Sequence, residues 1–471
     1  MYRLYVSAAH KSSGKTTVAV GLAAALRARG LTVQPFKKGP DYIDPLWLGA
    51  AAGRSCYNLD PYLSSMAEIG ATFRSVCAGA DVALVEGNKG LHDGLALDGS
   101  NSNAALAAAL EIPVLLVLDA RGMTRGIAPL VLGFQAFDRS VRLAGVVLNR
   151  VGGARHESKL RAALEHYTDV PVFGALHEDP SLSIEERHLG LRPATESAEA
   201  GEHIQHLSDA VAAAVDLDEL LAACGTPGAA AQPAREASCT RSDTVLTIGI
   251  ARDRAFGFYY ADDLDSLQRA GAQLVFFDAL ADRQLPEVDA LYLGGGFPEV
   301  LAAELSANRS MLASIRAAVQ GGLPTYAECG GLMLLSRAIV WNKVSYPMAG
   351  VIPGDVEMCE RPVGRGYVHL DETVDMPWPR RAQSTVRAHE FHHSKLVNVD
   401  PGLRYAYRVR RGHGVDGERD GIVIHNTLAS YAHLRGTGGD GWPARFVDFA
   451  RTVASRARSA SHAPIAGGSS A

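Results

Sequence analysis

A chain of 471 residues with 47% hydrophobic and 21% charged residues has the make-up of a globular protein of two or three domains, with ample material for sizeable cores. Its net charge of −5 gives no electrostatic case for nucleic acid or a membrane surface as partner. Six cysteines (56, 77, 224, 239, 329 and 359) form no CxxC pair and no disulfide framework, which suits a reducing cytoplasm. The apolar runs are broken by Gly, Pro or charge before spanning length, so neither a signal peptide nor a transmembrane helix is expected.

The first expected unit, 1–220, alternates short apolar runs with helical patterns. Leu4-Tyr5-Val6, Val82-Ala83-Leu84-Val85, Val114 to Leu118 and Gly145 to Leu148 read as buried parallel strands. The helical stretches between them predict βαβ units in a doubly wound α/β sheet. After the first strand, Ser7-Ala8-Ala9-His10-Lys11-Ser12-Ser13-Gly14-Lys15-Thr16-Thr17 comes close to a Walker A loop and leads into an Ala/Leu/Val helix. Such a loop cradles phosphate with successive backbone N–H groups and a helix N-terminus. Lys15 then reaches the outer phosphates and Thr16 offers its hydroxyl to Mg²⁺. Lys11, Ser13, Gly14, Lys15, Thr16 and Thr17 are the nucleotide-binding candidates, although Ala9 stands where the pattern has its first glycine. Mg²⁺ takes hard oxygen ligands. Asp41 and Glu86 fall where strands should end, on the carboxyl edge that binds ligands in such sheets, and with Thr16 they form the expected metal set. Asp119 is a further candidate. Asn149 is placed either to read a nucleotide base with its amide or to form a turn.

Residues 221–244 are small, polar and punctuated by Pro and Gly, and read as a linker. A second α/β unit is expected over 245–455, followed by a Ser/Ala/Gly-rich tail, 456–471, expected to be disordered. Within that unit Cys329 stands in Pro324-Thr325-Tyr326-Ala327-Glu328-Cys329-Gly330-Gly331-Leu332-Met333, which predicts a strand, a tight turn and a helix with the thiol at the corner. A cysteine there sees the positive end of a helix dipole, which favours thiolate. The glycines let a substrate approach the backbone, as at a nucleophile elbow. A buried structural cysteine is the plain alternative.

Six segments taken in order, Gly39-Pro40-Asp41-Tyr42-Ile43-Asp44-Pro45, Asn58-Leu59-Asp60, Glu186 to Gly190, Ala251 to Phe256, Gly294 to Glu299 and Ala327 to Gly331, resemble the motifs of cobyrinic acid a,c-diamide synthases. The resemblance spans nearly the whole chain. It implies an N-terminal ATPase domain of the dethiobiotin-synthetase type and a C-terminal, flavodoxin-like class I glutamine amidotransferase domain. It also implies that ATP and L-glutamine are used to amidate two acetate side chains of a modified tetrapyrrole. In the amidotransferase half it makes Cys329 the nucleophile and His433, in Ser430-Tyr431-Ala432-His433-Leu434, the residue that activates it and protonates the leaving ammonia. Gly295, Gly296 and Gly330 would form the oxyanion hole. Many glutamine amidotransferases carry a glutamate two residues after the histidine; here Arg435 stands there, so a Cys–His dyad is expected. Free ammonia is mostly protonated at neutral pH, which argues for a shielded path to the acyl phosphate.

Two stretches depart from the family pattern. Pro45 is followed by Leu46-Trp47-Leu48 where a histidine is usual, and 86–94 reads Glu-Gly-Asn-Lys-Gly-Leu-His-Asp-Gly, followed by 98–103. These loops should lie near the acceptor, for which Asp44 and Asp93 are the candidate residues, with Lys89 either pairing with a carboxylate or simply solvated. The altered form resembles the branch that amidates sirohaem in sulfur oxidisers. The family resemblance makes cobyrinate or hydrogenobyrinate the expected acceptor, and the altered loops make sirohaem or sirohydrochlorin the alternative. A partner-binding ATPase switch would need a lysine at His10, and nothing in it would use Cys329. A homodimer is left open as the assembly.

Overall fold

The computed structural model describes residues 1–187, 190–197, 199–225, 245–379, 385–436 and 441–461. His188 and Leu189 of one motif, residues 226–244 of the expected linker and 462–471 of the expected tail lie outside the described residues. The chain forms two compact units, Met1–Glu236 and Ala237–Ala471, which divide inside the expected linker. The helix Leu217–Ala223 crosses the linker's expected start.

Seven strands of the first unit, β1 (Tyr2–Ala8), β2 (Val33–Lys38), β3 (Tyr57–Leu59), β4 (Val82–Glu86), β5 (Val114–Asp119), β6 (Leu143–Val151) and β7 (Val172–His177), run parallel in the order β3-β2-β4-β1-β5-β6-β7. Alternate residues serve opposite faces. Leu4, Val6, Leu84 and Val117 pack beneath α1 (Lys15–Ala28) and α2 (Ile43–Ala52), while Tyr5, Val85, Leu116 and Leu118 join the core on the other side. Covering both faces removes any polar alternation, which is why these strands read as plain apolar runs. The strand β2 escapes that reading because its sequence is Val-Gln-Pro-Phe-Lys-Lys, yet all six residues are buried. Helix α1 crosses the helix Ala200–Ala214 closely at Gly21, where a Cβ would stand 2.5 Å from Val211.

In the second unit five parallel strands, in the order Ala272–Phe277, Leu246–Ala251, Ala290–Leu293, Thr325–Glu328 and Thr427–Ser430, form the flavodoxin-like part. The sheet then continues through four antiparallel strands, Arg419–Ile424, Arg404–Arg411, Gly364–Glu372 and Thr385–His392. This antiparallel half is an addition that the sequence reading did not contain. The last helix, Trp442–Ser461, docks Trp442, Phe446, Val447 and Ala450 against the aromatic core and runs into the stretch expected to be a disordered tail. Among the described residues no helix is long and apolar enough to cross a membrane.

Candidate functional site

The loop after β1 turns into α1 through two left-handed residues, Ser12 (φ 64°) and Gly14 (φ 84°). Only glycine fits the second, because a Cβ there would stand 2.1 Å from Nδ2 of Asn149. From the end of β6, Asn149 donates its amide to the Ser13 carbonyl (2.9 Å) and Arg150 donates to that of Ser12 (2.7 Å), so both fasten the loop. Ser13 itself donates to the His10 carbonyl (2.9 Å), and Lys11 lies exposed at the tip. Lys15 is buried at the start of α1, with Thr16 and Thr17 half-buried after it. Asp119 is committed to Arg121 (2.7 Å) and Arg150 (2.9 Å). Burial opposes its charge, but the hydrogen bonds from these arginines hold its pKa down at about 2.

Parallel pairing of β2 with β4 sets Lys37 opposite Glu86 at the carboxyl edge. Lys37 Nζ lies 2.5 Å from Asp44 Oδ2 and 3.1 Å from Glu86 Oε1, with its side chain 3% exposed and that of Glu86 fully buried. Thr16 Oγ1 donates to Glu86 Oε1 (2.6 Å) and stands 3.4 Å from Asp44 Oδ2. Burial alone would discharge such groups. For Lys37 the carboxylates of Asp44 and Glu86 outweigh burial and raise its pKa. Burial raises that of Glu86 despite Lys37. Burial and then the Lys37 charge push Lys15 down to about 8. Asp41 accepts, through Oδ1, the backbone N–H groups of Ile43 (2.8 Å) and Asp44 (3.2 Å) at the start of α2. Burial, then neighbouring Asp44, lift its pKa to about 7. Asp93 is exposed and accepts from the Gly90 N–H (2.8 Å), and Lys89 is exposed at φ 45°. Lys37 went unnoticed in the sequence, where the only signal was a lysine pair ending a run just before Gly39-Pro40-Asp41.

In the second unit Cys329 occupies the corner between the strand Thr325–Glu328 and the helix Gly330–Leu335, at φ 46° and ψ −97°. Pairing of Glu328 with Ser430 on the adjacent parallel strand brings His433 alongside, braced by an antiparallel bridge to His389. Burial works against charge on His433, yet the neighbouring Cys329 and Glu328 raise its pKa to about 10. His389 is pushed down to about 3 by burial and the His433 charge. A Cβ on Gly295 would stand 2.7 Å from His433 Cε1, one on Gly296 1.9 Å from the Ala255 carbonyl oxygen, and one on Gly330 3.1 Å from the Gly296 nitrogen. At these three glycines the backbone, and at Gly295 the His433 ring, come closer than any side chain would allow. Arg435 pairs with Asp262 (2.6 Å) and lies 3.9 Å over the Tyr260 ring. Glu328, which the sequence reading passed over, puts Oε2 3.4 Å from His433 Nδ1.

A phosphate-binding α/β unit followed by a cysteine–histidine amidotransferase unit defines a glutamine-dependent, ATP-driven ligase. Residues 6–191 match the model of the CobQ/CobB/MinD/ParA nucleotide binding domain, and 247–438 that of the CobB/CobQ-like glutamine amidotransferase domain. A cobyrinate a,c-diamide synthase of Magnetococcus marinus is 45% identical, covering 93% of this chain and 95% of its own. Those of Methanosarcina acetivorans (41%; 92% and 92%) and Listeria monocytogenes (40%; 92% and 96%) are similar to it over the same extent. The chain belongs to the cobyrinate a,c-diamide synthase family.

Proposed function

We propose that this enzyme converts the a and c acetate side chains of cobyrinate or hydrogenobyrinate into amides, with ATP and glutamine. The observation that carries the proposal is the likeness to cobyrinate a,c-diamide synthases, which runs through both catalytic units at 45% identity. The free cysteines among the described residues support a cytoplasmic setting.

An acetate carboxylate is a poor acyl donor, so the γ-phosphoryl group of ATP passes to it first, leaving ADP and an acyl phosphate that ammonia attacks with loss of phosphate. Lys15 and the loop amides hold the phosphates and offset charge on the transferring group. Thr16, Glu86 and Asp44 offer the hard oxygens that Mg²⁺ takes, and Glu86 Oε2 is buried with no hydrogen-bond partner among the described residues. Among the described residues no group of three or more His, Cys, Asp or Glu forms a metal cage. That fits an ion held chiefly by phosphates and one or two carboxylates. When bound it would neutralise charge on the phosphates. Asp41 contributes by fixing the start of α2, and through it Asp44; Asp93 and Lys89 border the acceptor. In the second unit the Cys329 thiolate attacks the glutamine amide carbon, backbone N–H groups of Gly295, Gly296 and Gly330 receive the oxyanion, and His433 protonates the departing ammonia. Water then hydrolyses the thioester to glutamate.

The test supplies purified enzyme with Mg-ATP, glutamine and, in turn, cobyrinate, hydrogenobyrinate, sirohaem and sirohydrochlorin, and reads exchange of hydroxyl for amino groups by mass spectrometry. Double amidation of a cobyrinate is expected. Turnover of sirohaem alone would move the acceptor to the reading favoured by the 88–103 loop, and turnover of none would overturn the acceptor altogether.

A further inference from the structure

A histidine that serves first as base and then as acid needs its ring fixed and its Nδ1–H held by an acceptor. Arg435, at the position that carries this acid in many glutamine amidotransferases, cannot accept a hydrogen bond, and its guanidinium is engaged with Asp262 and Tyr260. The acceptor that faces Nδ1 is the carboxylate of Glu328, at 3.4 Å. Strand alternation puts Glu328 on the same face as Tyr326, and its carboxylate is 1% exposed.

We infer that Glu328, the residue immediately before the nucleophile, is the positioning residue that orients His433 and balances its charge. This rests on the amidotransferase reading of Cys329 and His433. The carboxylate is held on both oxygens. Oε1 accepts from the Tyr326 hydroxyl and from the Leu434 N–H (2.9 Å), while Oε2 accepts from the Tyr292 hydroxyl (3.0 Å) and faces His433 Nδ1 at 3.4 Å. The two tyrosine rings stack, with centroids 5.4 Å apart and planes 14° from parallel, so their hydroxyls converge on one point. Glu328 therefore fixes the backbone of the residue after the histidine by a hydrogen bond and faces the ring at ion-pair distance. The proton that leaves with ammonia comes from His433. The groups facing this pair are Cys329 at the corner, His389 on the strand Thr385–His392, and Tyr259, Tyr292, Tyr326 and Asp263 around Glu328. His389, held neutral by burial and by the His433 charge, adds no positive charge beside the pair.

Glu328→Gln in the full chain keeps the shape and removes the charge. Glutamine hydrolysis without acceptor should lose kcat by on the order of 10²-fold, with KM for glutamine little changed. The pH at which iodoacetamide alkylates Cys329, followed on its own peptide by mass, should rise by about one unit as the imidazolium loses its partner. Glu328→Asp should restore part of the pH shift. A carboxylate that merely satisfied two hydroxyls would leave both readouts at wild-type values, and that result overturns the inference. Should the Gln variant fail to fold, by its near-ultraviolet dichroism, Tyr292→Phe decides: freeing Oε2 from a competing donor should move alkylation to lower pH, and no movement overturns the inference. None of these readouts needs a tetrapyrrole, so an error in the proposed acceptor leaves the test intact.

Discussion

At the end of β4 one lysine is wedged between two carboxylates, with Glu86 pushed toward its neutral form by burial and Lys15 down to about 8. At the cysteine corner the buried carboxylate already has three donors and faces the histidine, which is held charged. The first site is thus electrostatically unfinished until a polyanion and its counter-ion arrive. The second is complete before glutamine binds. A site of the first kind should fail when a charge is altered and should respond to pH, whereas one of the second kind should fail when a single atom is misplaced.

The hardest blow to this contrast is Lys37→Met. With Asp44 and Glu86 left buried without a cation, folding stability should fall by about 3–5 kcal/mol, and amidation should cease with either glutamine or ammonia. A denaturation midpoint equal to wild type would show that the cluster does not depend on its lysine. Cys329→Ser should next abolish glutamine-supported amidation while high ammonium at alkaline pH still supports it; equal loss from both nitrogen sources would dissolve the division of labour. Gly295→Ala drives a methyl group to 2.7 Å from His433 Cε1 and should cost glutamine hydrolysis about 10²-fold. Wild-type hydrolysis would mean that the histidine need not be held there. The smallest effect is on nucleotide binding. Lys15 is depressed to about 8 in the free enzyme, so the unfolded chain binds more protons between there and 10.5 and stability rises with pH across that window. Bound phosphates restore the charge, so ATP should be bound with proton uptake near pH 8 and lose affinity by up to about tenfold per unit above it. Calorimetry in buffers of differing ionisation enthalpy reads this, and no uptake would contradict the burial argument for Lys15.

What was legible in the sequence is what lies contiguous in it. The loop 7–17 and the corner 324–333 each carry their geometry in one run of residues, with glycines where backbone must come close. Lys37 and Glu328 acquire meaning only through register, the one opposite Glu86 on β4, the other beside the strand that leads to His433. Asp41 and Asp44 are three residues apart across the start of α2, and composition does not say which points at Thr16; the backbone N–H groups there claim Asp41. Asn149 was open between a base contact and a turn, and the structure adds a third use, one N–H of its amide donating to the Ser13 carbonyl. The antiparallel strands were missed because they lack a plain apolar run: in Thr385–His392 buried residues alternate with less buried, charged or polar ones.

The backbone angles of Cys329, φ 46° and ψ −97°, suit glycine and cost a side-chain-bearing residue on the order of 1–3 kcal/mol. Activity and robustness therefore pull in opposite directions at this codon. Glycine here would make a sturdier protein that cannot draw nitrogen from glutamine, and only selection for that nitrogen keeps the sulfur in place. In a lineage well supplied with ammonium, this is where the amidotransferase half should first fall silent while its fold persists.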